Sequence, residues 1–266
     1  MVREGRNVIG RRRIHAAALA AAFLFGAGCG GASAAKKPPK REPGAELREQ
    51  MGLAESYVKA GRTTEAIEIA EKAAAANPGN AAVWNFHGQL CFMAGRLPAA
   101  EQSFRKALAL DPYLADAHNN LGAVLDRSGR KAEAEEAYRK ALADPTYPTP
   151  EKVHLNLGLL FASQGRDEEA VAEMRRAVEY NPKFYQGHYE LASLLDRTGR
   201  LDEAVRLYEV AAPEYREDGT YQYRLGLAYF RLKRPDDARK HLEKVLAVAP
   251  GSENAAKADD LLKLLR

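Results

Sequence analysis

The sequence predicts an all-α solenoid of about six stacked helix pairs, closed by one further helix. Three observations carry that expectation. Ala66, Ala100, Ala134, Ala170, Ala204 and Ala238 recur at intervals of 34, 34, 36, 34 and 34 residues. Gly61, Gly95, Gly129, Gly165 and Gly199 keep step with them, each five positions earlier. Aromatic residues make up only 8% of the chain while alanine is abundant, a composition that suits close-packed helices better than strands. The two cysteines exclude a disulfide-rich scaffold. The formal charge of +4 resides in the first residues, where Arg3, Arg6, Arg11, Arg12 and Arg13 face a single acid, Glu4. Without them basic and acidic side chains balance, so the body carries no general field for nucleic acid.

Residues 1–28 have the layout of a secretory leader: a basic stretch, an apolar run from Ile14 to Phe25, then Gly26-Ala27-Gly28. The run is about a dozen residues, short of the roughly 20 that span a bilayer. Phe25-Gly26-Ala27-Gly28-Cys29 resembles the bacterial lipobox, which implies that Cys29 is acylated and becomes the first residue of the mature protein. No cofactor is expected beyond that covalent lipid. Ala32-Ser33-Ala34 offers an ordinary cleavage site instead, which would leave a soluble periplasmic protein. Residues 29–46 are rich in Gly, Pro and charge without apolar periodicity, and read as a tether.

The repeating part divides into 47–80, 81–114, 115–148, 151–184, 185–218 and 219–252. Each unit reads as two helices joined at the glycine, which supplies a left-handed helix end. Gly88, Gly122, Gly158 and Gly226, with Ala54 and Ala192, form a small-residue column that lets paired helices approach closely. Phe104, Tyr138, Met174, Tyr208 and Leu242 share one repeat position and are expected to fill the space between units. Two departures stand out: Lys233 replaces the turn glycine in the sixth unit, and DPTYPTP (144–150) adds two residues after the third, where the second helix must stop early. Residues 253–266 read as an amphipathic capping helix. The period and the units AAVWNFHGQLCFMAGRLPAAEQSFRKALALDP and HNNLGAVLDRSGRKAEAEEAYRKAL resemble the tetratricopeptide repeat over 47–252, which implies a right-handed superhelix.

No phosphate loop, dinucleotide fingerprint, zinc-protease or nucleophile-elbow motif is present, so no catalytic residue, metal site or small-molecule substrate is expected, and the chain reads as a non-enzyme. His118, His154 and His188 share a repeat position. Successive units hold them roughly 8–10 Å apart, too far to ligate one ion, so they read as packing residues. His87 and Cys91, four apart on one helix, read likewise, with Cys91 a buried free thiol.

Binding is expected on the concave side, lined by the first helix of each unit. The groove set is Asn85, Phe92, Met93, Asn119, Asn120, Leu155, Asn156, Leu159, Tyr189, Tyr223 and Phe230, with the asparagines placed to bond an extended backbone. A lipid anchor, a tether and six such units together resemble the pilotins of type IV pilus assembly, the PilF/PilW/Tgl group. Tyr147-Pro148 in DPTYPTPEKVHLNLGLL, followed by Asn156-Leu157-Gly158, carries the closest similarity. That resemblance implies an outer-membrane lipoprotein facing the periplasm, which binds the pilus secretin subunit and promotes its localisation and multimerisation. A general envelope scaffold that recruits cell-wall or outer-membrane assembly proteins is the alternative.

Overall fold

The computed structural model describes residues 44–265, and the leader and Cys29 lie outside them. Thirteen helices and no strand occur among the described residues. They pair as α1 (Ala45–Lys59) with α2 (Thr63–Ala76), α3 (Ala81–Met93) with α4 (Leu97–Leu110), and α5 (Ala115–Arg127) with α6 (Lys131–Ala141). The series continues with α7 (Pro150–Ser163) and α8 (Asp167–Tyr180), α9 (Tyr185–Arg197) and α10 (Leu201–Tyr215), and α11 (Gly219–Arg231) and α12 (Pro235–Val248). The last helix is α13 (Glu253–Leu264). It begins where Ser252 Oγ accepts from Ala255 N at 3.1 Å, and it buries Ala255, Ala258 and Leu262 against the solenoid. Among the described residues no helix is long and apolar enough to cross a membrane.

Each pair turns at a residue in the left-handed region. Gly61, Gly95, Gly129, Gly165 and Gly199 have φ between 73 and 83°. Lys233 adopts φ 57° at the equivalent place and is the only non-glycine with positive φ among the described residues. The backbone bonds are the same in kind: Gly129 N donates to Asp126 O and Arg130 N to Leu125 O, as Lys233 N does to Phe230 O and Arg234 N to Tyr229 O. The sixth unit therefore makes the same turn and bears the steric cost of a side chain there.

The glycine column of the first helices exists to admit a ring or a long side chain. A Cβ on Gly88 would come within 2.6 Å of the Phe104 ring, and one on Gly122 within 2.6 Å of Tyr138. Met174 and Leu242 press in the same way on Gly158 and Gly226. Phe104, Tyr138, Met174 and Leu242 thus fill the space between the two helices of their own unit, and Tyr208, equally buried, also meets Tyr221 of the next unit with ring centroids 6.1 Å apart.

Units are tied to one another by polar contacts that recur with the period. Trp84 Nε1 donates to Pro78 O at 3.0 Å. His118 Nε2 bonds Pro112 O at 2.9 Å and His188 Nε2 bonds Pro182 O at 3.0 Å. Gln222 Nε2 donates to Arg216 O at 2.6 Å. In each case one side chain closes the corner between units by satisfying a carbonyl six residues earlier, at a helix end that has run out of intrahelical donors. His118 and His188 are thus more than packing residues. His154, at the same position, follows the two-residue insertion and bonds Glu173 Oε2 instead, at 2.7 Å. A second tie runs along the second helices, where an arginine precedes each one. Arg130 bonds Glu133 at 2.5 Å and reaches back to Glu101 at 2.7 Å, and Arg166 bonds Glu169 at 2.6 Å and Glu135 at 2.8 Å.

The insertion shortens α6 to 11 residues, against 14 for α4 and α8. Asp144 turns the chain by accepting from Thr146 N at 2.8 Å. Tyr147 then folds back into the body, and its hydroxyl donates to Asp116 Oδ1 at 2.8 Å.

Candidate partner-binding groove

Successive first helices α3, α5, α7 and α9 touch one another, whereas the second helices stand farther apart, so the first helices form the inner, concave side. On that side two columns meet diagonally across each junction. The residue three before the Gly/Ala column of one unit faces the residue two before it in the next. Asn120 Nδ2 donates to Asn85 Oδ1 at 3.1 Å, and Asn156 Nδ2 to Asn119 Oδ1 at 2.9 Å. These amides were expected to be free for a partner. They are bonded in pairs, yet each amide carries two N–H donors and two lone pairs, so capacity remains at every one.

The same columns place Leu155 opposite Glu190 and Tyr189 opposite Arg224. Leu155 corrects the expected groove set: it is only 3% exposed and belongs to the core, because position 155 looks toward the neighbouring helix rather than into the groove. Asn85 is also buried. Met93 and Leu159 are the apolar members open to solvent, at 61% and 37% exposure. Phe92, Asn119, Asn120, Asn156, Tyr189, Tyr223 and Phe230 are half-buried, so each offers one edge.

The C-terminal half of the floor is walled by tyrosine. Tyr189 stacks on Tyr215 with ring centroids 4.8 Å apart, and Tyr215 continues the stack to Tyr221. Tyr208 and Tyr221 lie beneath, their hydroxyls held by Ser193 Oγ and by Tyr208 O. Burial pushes both phenols up to about 12, so they remain neutral donors. The Arg224 guanidinium lies 6.0 Å from the Tyr189 centroid. Burial raises the Glu190 carboxyl above the usual carboxylate range, and Arg224 offsets this only in part. Burial likewise raises Asp196 despite its bond to Arg231. Arg197 is tied to Asp167 at 2.7 Å, Lys131 to Asp126, and Arg127 covers the Phe92 ring at 5.5 Å. Much of the rim is thereby charge-paired, whereas the half-buried Glu190 and Arg224 are in no ion pair among the described residues.

Neither of these two residues was singled out in the sequence, although both stand in the column of Asn120 and Asn156. Only the fold reveals that this column faces its neighbour across the floor. Other polar groups are enclosed. His87 Nδ1 bonds Ser103 Oγ at 2.8 Å, and Cys91 Sγ lies 3.6 Å from His87 Nε2. Burial lowers the imidazole and raises the thiol, which keeps both neutral, and Cys91 is a buried free thiol. No group of three or more potential metal ligands gathers among the described residues. A hollow of about 720 Å³ lies at the α4–α5 corner, lined by Leu108, Pro112, Tyr113, His118, Lys140, Ala143 and Asp144, where the shortened α6 leaves its neighbours uncovered. It includes no groove residue.

Comparison with known proteins fits this geometry. A family model for the cilia and flagella-associated protein 70 C-terminal domain, a tetratricopeptide-repeat region, matches residues 33–224, and the tetratricopeptide repeat itself matches 219–252. The chain belongs to this tetratricopeptide-repeat family. Its fold is similar to that of PilW, described as a widely conserved type IV pilus biogenesis factor. The two are 27% identical with a TM-score of 0.73, over 80% of this chain and 98% of PilW. PilF of Pseudomonas aeruginosa shares the fold at 22% identity, with a TM-score of 0.71 over 80% of this chain and 96% of PilF. YrrB, a tetratricopeptide-repeat protein with an unusual peptide-binding site, shares it at 23% identity and a TM-score of 0.56, over 72% of this chain and 97% of YrrB. No characterised protein compared by sequence matches. Tetratricopeptide repeats present surfaces to other proteins; here the concave floor carries half-buried amides and tyrosines beside exposed Met93 and Leu159.

Proposed function

We propose that this protein is an envelope lipoprotein of the pilotin kind. Cys29 carries the lipid, the residues after it form the tether, and the repeat domain faces the periplasm from the outer membrane. The groove holds a secretin subunit in transit and releases it when the subunit enters its ring. The observation that supports this most is the likeness to the pilus biogenesis factor PilW across nearly all of that protein. The chemistry is consistent. A secretin subunit on its way to the membrane has apolar surface and unpaired strand edges, both prone to aggregate. Exposed Met93 and Leu159 give adaptable apolar contact, and the floor amides have bonds to spare for a strand edge. On this reading the chain is a binding protein and not an enzyme.

The test is the double substitution Met93→Asp with Leu159→Asp, in cells whose own copy is deleted. Both side chains are open to solvent, so the fold and the membrane location are retained. Heat-resistant secretin multimers and pili should be lost. Multimers at wild-type levels would show that the groove is not the binding surface and would move attention to the hollow beside Tyr113. The anchor is tested separately. Cys29→Ala should leave a folded domain that no longer fractionates with the outer membrane, because several acyl chains hold where one does not. Failure of labelled palmitate to enter the wild-type chain would refute lipidation.

A further inference from the structure

The floor of the groove changes character along its length. At the α3–α5 and α5–α7 junctions the facing side chains are neutral amides already bonded to each other. At α7–α9 and α9–α11 the same column carries Glu190 and Arg224, which are charged, half-buried and one repeat apart. They are near enough for each to perturb the other's protonation, yet they close no ion pair among the described residues. Arg224 is held instead over the Tyr189 ring and beside the Tyr208 hydroxyl. Other ionised side chains along this rim are paired: Arg197 with Asp167, Arg231 with Asp196 and Lys131 with Asp126. A partly desolvated carboxylate and guanidinium on one floor, in no ion pair, can both be engaged by one ligand group with a donor and an acceptor face.

We infer that Glu190 and Arg224 form a subsite for a carboxamide side chain, Asn or Gln, of an extended peptide segment of the partner. The amide N–H group donates to Glu190, its carbonyl oxygen accepts from Arg224, and the flat group lies beside Tyr189. The charge pattern selects against the alternatives. A Lys or Arg drawn to Glu190 meets Arg224, and an Asp or Glu drawn to Arg224 meets Glu190, whereas a neutral group with one donor face and one acceptor face meets neither repulsion. The scale also fits. Neighbouring first helices lie roughly 8–10 Å apart and an extended chain rises about 3.3 Å per residue, so about three residues of the segment pass each junction. The amide pairs upstream bond its backbone without regard to sequence, and the charged junction reads one side chain.

This rests on the reading of the concave face as the binding surface, but its test does not involve a secretin. The full chain, purified in detergent, is used to pan a phage-displayed library of random twelve-residue peptides, in parallel with Glu190→Gln and Arg224→Gln. Both substitutions preserve hydrogen-bonding size at half-exposed positions, and thermal melts confirm that the variants are folded. The wild-type chain should enrich Asn or Gln at one register position. Glu190→Gln leaves the guanidinium unopposed and should switch that position to Asp or Glu, and Arg224→Gln should switch it to Lys or Arg. The wild-type peptide should lose affinity for either variant by about tenfold, as expected for a lost bond to a charged group. The same preference in all three chains, a charged residue selected by the wild type, or no enrichment at all would overturn the proposal. A switch obtained with this library while secretin multimers prove indifferent to the groove would instead retain the subsite and exclude a secretin as the groove's occupant.

Discussion

Replacing Lys233 with glycine should stabilise the sixth unit. Lys233 occupies the left-handed turn at φ 57°, where the five equivalent positions before it are glycine. Its backbone bonds, Lys233 N to Phe230 O and Arg234 N to Tyr229 O, both at 3.0 Å, are those of the glycine turns, so nothing in the turn has to move. Its side chain is exposed and makes no ion pair, so little else is lost. A non-glycine residue pays about 1–2 kcal/mol in the left-handed region. Glycine returns about 0.4–1 kcal/mol of that through the larger freedom of the unfolded chain. The middle of these ranges leaves a net gain of about 0.8 kcal/mol, which corresponds to roughly 2–3 °C in melting temperature for a domain of this size. The converse change, Gly129→Lys, puts a side chain at φ 80° and should lower stability by a similar amount. Circular dichroism melts at 222 nm of the two variants and the parent check both signs at once. A Lys233→Gly variant that melts at or below the parent would refute the reasoning and imply that the Lys233 side chain contributes a contact larger than the backbone strain it imposes.

Leu155→Ala should cost about 2–5 kcal/mol in urea unfolding, because the side chain is buried in the core, whereas Leu159→Ala should change the midpoint little; equal effects would mean that the two faces of α7 are misassigned. Stability should also fall in acid. Hydrogen bonds from Arg130 and Arg166 lower the Glu133 and Glu169 carboxyls, so their contribution is present above the unfolded value near 4.5 and is lost as pH falls through the folded values. Glu190 and Asp196, raised by burial, act with the opposite sign: they penalise the fold above their own folded values and relieve it when protonated. Melting temperature between pH 7 and pH 3 should therefore drop, and the drop should be smaller in the double variant Arg130→Met with Arg166→Met. An unchanged slope in that variant would remove the arginine ties from the account.

The repeats were legible because their signals are local and periodic. A glycine after five of the six first helices, a small residue opposite a large one and a proline after most second helices are requirements of short stretches of chain, and they recur with the period. Cys29 and the leader were likewise read from local pattern, and they lie outside the described residues. What the sequence did not reveal depends on which face of a helix meets which neighbour. Leu155 and Leu159 are four apart on one helix and look equivalent in a list of apolar residues, yet a few tens of degrees of helical rotation put one in the core and the other in the groove. Trp84, His118, His188 and Gln222 have little in common as residues; only the folded corner gives them the same carbonyl to bond. Asn85 and Asn120 are 35 residues apart, and their bond exists because stacking brings α3 beside α5. Local sequence determined the helices, their turns and their period, since those free energies are set within a few residues. The floor of the groove, with its paired amides and its separated Glu190 and Arg224, was decided by tertiary packing, since only the stacking of units sets one column against the next.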